Sequence, residues 1–72
     1  MKVNVERISE SKFYIIYKRI REKGDTIPLY VIYRTEAYGG DLFDECETAR
    51  AARQLFKTAT RQAEVHEDLM FV

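Results

Sequence analysis

One histidine, one cysteine and a short acidic run are the residues of this chain whose chemistry reaches beyond packing. His66 stands beside Glu67 and Asp68, a grouping able to ligate a metal or take up a proton. No second histidine or cysteine lies near it in sequence, so a surface residue is expected. Cys46 precedes an expected helix, where a thiol can become acidic and reactive. Glu45 and Glu47 on either side oppose a thiolate, so Cys46 is expected to act as a small apolar group. Asp41, Asp44, Glu45 and Glu47 offer paired carboxylates, but no second acid- or histidine-rich element completes a site. The expected role is a solvated edge that complements a helix N-terminus. The alternative is an acidic patch that mimics nucleic acid or meets a basic partner. Gly39-Gly40 is not a phosphate loop, since no Lys-Ser/Thr follows it. These readings point away from an enzyme, a metal site or a small-molecule cofactor.

Two other sets of residues suit binding. Arg50, Arg53, Lys57 and Arg61 recur at spacings of three and four, which makes a basic row along a helix. Such a row is either a solvated surface or a track for phosphates. A second set, rich in tyrosine, isoleucine and arginine, lies in two predicted strands.

Those strands come first among the elements that must position these groups. Lys12 to Arg21 is dense in aromatic and β-branched residues and reads as a strand, as does Leu29 to Thr35. Between them Gly24-Asp25 supplies a hairpin turn, and Pro28 lacks the N–H a central strand needs. Tyr38-Gly39-Gly40-Asp41 is the next turn. Leu42 to Cys46 is expected as a short third strand, with a lead-in to the helix as the alternative. Thr48 then caps a helix from Ala49 to about Glu64, in competition with a capping box of Asp44 and Glu47. Ala52, Leu55, Phe56, Ala59 and Ala63 give that helix its apolar stripe. A further strand in Val3 to Ile8, turning at Ser9-Glu10-Ser11, completes the set. The expected fold is α+β: a three- or four-stranded antiparallel meander with one C-terminal helix on one face. The order of strands and helix over residues 12–62 resembles, in layout alone, the small arm-site DNA-binding domain of some phage integrases. No diagnostic motif accompanies it, and the charge balance differs.

With 72 residues the chain is expected to be one domain, residues 1–72, with a flexible tail at 65–72. Its hydrophobic content of 46% excludes a disordered chain. It has no apolar run long enough for a membrane span and no signal-peptide pattern at its start. A single cysteine forms no internal disulfide, and a reducing, cytoplasmic location is expected. Twelve basic and twelve acidic side chains cancel in sum. They do not cancel locally, because residues 1–35 hold eight basic against four acidic groups and residues 36–72 the reverse.

The two main strands are apolar on both sides. With a two-residue turn at Gly24-Asp25, Arg19 would face Tyr30, Tyr17 would face Ile32, and Ile15 would face Arg34. One face would then hold Tyr14, Ile16, Ile20, Leu29, Val31 and Tyr33, and would take the helix. The other would hold Phe13, Ile15, Tyr17, Arg19, Tyr30, Ile32 and Arg34. A slip of one residue would exchange partners, yet leave both faces apolar. One helix covers one face, so the other needs a tail, a second copy or a partner. Tyr, Phe, Ile and Arg are enriched at interface cores, so a protein interface is expected there, through a homodimer or another protein. The alternative is a nucleic-acid platform of aromatic rings and arginines, joined by Arg50, Arg53, Lys57 and Arg61. The expected function is a small non-enzymatic binding or regulatory protein of the size of phage and mobile-element accessory proteins.

Overall fold

The computed structural model describes residues 5–20, 24 and 26–70. Four strands, β1 (Val5–Glu10), β2 (Tyr14–Arg19), β3 (Tyr30–Arg34) and β4 (Leu42–Cys46), form one antiparallel sheet in chain order. One helix, α1 (Ala49–Met70), follows and packs on one side of the sheet. This is the α+β meander expected, with all four strands present.

Local chemistry sets the boundaries. β1 and β2 are joined through Ser11, whose hydroxyl accepts from the N–H groups of Phe13 and Tyr14 at 3.3 and 3.1 Å. That serine turn puts the corner at residues 11–13, later than the expected Ser9 to Ser11, and β1 reaches Glu10. The expected strand residues Val3 and Asn4 lie outside the described residues. β3 leads through a 3-10 turn, Glu36–Tyr38, to Gly39 and Gly40, whose φ values of +116° and +69° reverse the chain. Thr48 caps α1: its hydroxyl accepts from the Ala51 N–H at 3.2 Å. The helix runs to Met70, so the expected tail is helical from Val65 to Met70, while Phe71 and Val72 lie outside the described residues. No glycine or proline interrupts residues 49–70, so nothing local stops the helix at Glu64.

The expected hairpin register is corrected. Ile16 pairs with Ile32, Tyr14 with Arg34, Ile15 with Tyr33, Tyr17 with Val31 and Lys18 with Tyr30. The ladder extends to Arg19, whose N–H donates to the Leu29 carbonyl at 2.6 Å. Pairs are therefore centred on Gly24, at φ +86°, and not on the Gly24–Asp25 bond. The one-residue shift moves every β3 side chain to the other face. Packing accounts for it. Ile16 and Ile32 now sit side by side under the helix, and they are the two large side chains with no exposed surface.

The core is small. Phe13, Tyr14, Ile16, Tyr30, Ile32, Ala52 and Ala59 form it, flanked by Ile8, Leu29, Phe43, Cys46, Leu55, Phe56 and Ala63. The expected helix stripe is thus the packed one, and its alanines let the helix lie close to the sheet. β1 and β4 are the sheet's edges, and each carries a register irregularity, at Ile8 and at Phe43. The bulge at Ile8 turns both Ile8 and Ser9 towards the helix side, and Phe43 packs against Tyr14 with ring centroids 4.7 Å apart.

Candidate functional site: an open sheet face and two helix grooves

Three surfaces emerge from this frame. The first is the sheet face opposite the helix. By register it carries Val5, Arg7 and Glu10 from β1, and Ile15, Tyr17 and Arg19 from β2. Val31 and Tyr33 from β3 and Leu42 and Glu45 from β4 complete it. Tyr17 and Tyr33 meet edge to face, 5.9 Å apart at 72°. Beside them Arg7 and Glu10 form an ion pair at 2.8 Å. The Arg19 guanidinium donates to the carbonyls of Ile27 and Pro28 at 3.2 and 3.5 Å, which holds it against the loop after Gly24. The face therefore has an apolar centre and two charges of each sign at its rim. Among the described residues no element covers it.

The residues expected to share one face are split between two. Ile15, Tyr17 and Arg19 lie on the open face. Phe13, Tyr30 and Ile32 lie in the core beneath the helix, and Arg34 pairs across the sheet with Tyr14, on the helix side. Val31 and Tyr33, expected under the helix, take the places of Tyr30 and Ile32 on the open side. The register shift is the physical reason in each case. Phe13 differs in cause: it precedes β2, where strand alternation does not apply, and its ring packs 4.8 Å from Tyr38.

The second surface is a groove of about 660 Å³ at the C-terminal half of α1. Its floor is Phe13, Tyr14, Phe43, Ala59 and Ala63. Across it the Lys12 ammonium donates to Glu67 at 2.5 Å, and the Tyr38 hydroxyl donates to the other carboxylate oxygen at 2.9 Å. These bonds join the β1–β2 turn, the 3-10 turn and the helix at one carboxylate. Hydrogen bonds from Lys12 and then Tyr38 hold the Glu67 carboxyl below its ordinary range. The same bond to Glu67 raises Lys12 and Tyr38 above theirs. Sequence reasoning missed this network, and 55 and 29 residues separate its partners, with no motif linking them. His66 lines the groove from the helix and does not stand in a frayed end.

The third surface lies between β1 and α1. Arg53, Lys57 and Arg61 line a groove of about 640 Å³ with Ile8, Ser9, Phe56, Thr60 and Glu64. Arg50 lies one turn earlier on the same side of the helix. Among the described residues none of these four cations forms an ion pair.

The acidic run gathers no catalytic geometry. Asp44 accepts from the Glu45 N–H at 2.7 Å, Asp41 lies 3.7 Å from the Arg34 guanidinium, and both carboxylates are solvated. Burial, then Asp44, pushes the Cys46 thiol up, against a reactive thiolate. The opposing acid is thus Asp44, where Glu45 and Glu47 were expected. Among the described residues no three of His, Cys, Asp and Glu group to hold a metal, and no helix is long and apolar enough to cross a membrane.

The chain matches no family model, no curated protein and no solved structure.

Proposed function

We propose that the protein is a small binding module without catalytic role, whose open sheet face pairs with a second copy of the chain. The observation that supports this is the composition of that face. Ile15, Tyr17, Val31 and Tyr33 make its middle, where Ile15 is already buried by its neighbours and the other three are half-buried, while Val5 and Leu42 on the edge strands are 40% and 47% exposed. Apolar groups of this size spread over all four strands are what an interface core needs. The rim favours a like partner. Arg7 and Arg19 are balanced by Glu10 and Glu45, so two copies meet without net repulsion. A polyanion finds no excess positive charge there, so the same composition speaks against a nucleic-acid platform on the sheet.

Size sets the strength. Four strands of five or six residues give a face of about 19 by 18 Å, or roughly 350 Å² in projection. Two such faces give roughly 700 Å² in total, below the roughly 1,200 Å² at which stable specific interfaces begin, so the dimer is expected to be weak and to dissociate on dilution. Light scattering after size exclusion, from about 500 to about 5 μM, tests this. The parent chain should fall from dimer towards monomer with little response to salt, because the contact is apolar. A chain with both Tyr17→Ser and Tyr33→Ser should be monomeric throughout with an unchanged circular dichroism spectrum. A parent chain that is monomeric at every concentration, or a double variant that still dimerises, refutes the proposal.

A further inference from the structure

The groove between β1 and α1 combines features that the sheet face lacks, and it lies in the other layer of the molecule. Helix geometry places Arg50, Arg53, Lys57 and Arg61 within an arc of about 80°, at 100° per residue. Arg53, Lys57 and Arg61 follow one another at about 6 Å along the axis, four residues at 1.5 Å each. Their heads are exposed and, among the described residues, unpaired. Two carboxylates share the arc towards its C-terminal end, Glu64 one turn beyond Arg61 and Asp68 one turn further.

Ile8, brought to this side by the β1 bulge, and the half-buried Phe56 form an apolar floor beside the cations. Ser9 and Thr60 add hydroxyls. We propose that this groove binds single-stranded nucleic acid, with phosphates along Arg53, Lys57 and Arg61 and a base against Phe56 and Ile8. A single strand alternates charged phosphates with flat apolar bases, which is the alternation the groove presents. An acidic peptide offers the charge without the flat apolar groups, and a duplex keeps its bases stacked inside and so offers the phosphates alone. No group in the groove reads a 2′-hydroxyl specifically, so RNA and DNA share the chemistry required.

The inference is independent of the sheet-face pairing. Its test is fluorescence anisotropy of labelled twelve-nucleotide oligo-U and oligo-dT, titrated with the full chain at 50 and 200 mM salt. Three phosphate contacts give a slope of about −2 in log K against log salt, or a loss of about 20-fold between the two salts. Lys57→Gln should reduce the slope by about 0.7. Glu64→Gln, which removes the nearer of the two opposing charges, should tighten binding several-fold and so cannot be mistaken for damage to the fold. Both oligomers should bind, since the contacts are to phosphates and base faces that they share. Three results overturn the inference: no binding at 50 mM salt up to 100 μM protein, unchanged binding in both variants, or equal binding of a duplex or of polyglutamate. The monomeric Tyr17→Ser, Tyr33→Ser chain should bind as the parent does, which separates failure here from failure of the pairing.

Discussion

Replacing Ile32 by alanine tests the frame on which all three surfaces depend. Ile32 has no exposed surface, lies opposite Ile16 and packs beneath the helix alanines. Truncation at such a site removes the transfer energy of the lost methyl groups and leaves a cavity, for about 2–5 kcal/mol. The whole fold of 72 residues is worth about 4–11 kcal/mol, so this single change consumes a large fraction of it. Val31→Ala, one residue away, is the matched comparison. Val31 faces the open side and is half-buried, so its loss should cost no more than about 1 kcal/mol. Urea denaturation at about 5 μM, where pairing of two copies contributes little, measures both. The ratio decides between registers, because pairing about the Gly24–Asp25 bond would put Val31 in the core and Ile32 outside. Equal costs, or a larger cost at Val31, would refute the register, and with it the assignment of Val31 and Tyr33 to the open face.

Three further outcomes follow from contacts already described. Below the ordinary glutamate range the network of Lys12, Tyr38 and Glu67 should weaken, because the folded chain holds the Glu67 carboxyl low and its contribution is lost as pH falls through that lowered value. Lys12 and Tyr38 are raised, so their share persists through neutral pH and is lost as pH rises through their folded values. Thermal melts across pH should show both limbs in the parent chain and flattened limbs in Glu67→Gln. Gly39→Ala should destabilise by more than about 1 kcal/mol in the same denaturation assay, since alanine is strained at φ +116°, while the exposed Asp41 carboxylate near its Cβ can swing aside. Thr48→Ala should cost about 0.5–2 kcal/mol by removing the helix cap, and a change below measurement error would argue that the helix starts elsewhere.

Elements with local signals were legible in the sequence. The aromatic and β-branched runs gave β2 and β3, Thr48 marked the start of α1, and the spacing of Ala52, Leu55, Phe56, Ala59 and Ala63 identified its packed side. Register was not legible, because Val31, Ile32 and Tyr33 are all apolar and alternation alone does not select between faces. That choice depends on which isoleucine fits beneath the alanines, a property of the assembled core. The same ambiguity misplaced Tyr30, Ile32 and Arg34, while Tyr17 and Arg19 on β2 were correctly set opposite the helix. The helix end escaped for a related reason. Glu67 is held by Lys12 and Tyr38, distant in sequence, so no pattern near residue 65 announces that the helix continues.

The bulges at Ile8 and Phe43 constrain how copies of this chain can associate. A regular edge strand offers a ladder that a further chain extends, and each addition exposes a fresh edge, so growth has no natural end. Here both outer strands break step, at positions that also turn apolar side chains inward onto the helix. The residues that complete the core are therefore also the ones that spoil the template. What is left for association is a flat face on one side only. If copies pair through that face as proposed, the two faces hide each other and leave nothing to repeat, so such an assembly closes at a pair instead of running on into a fibre.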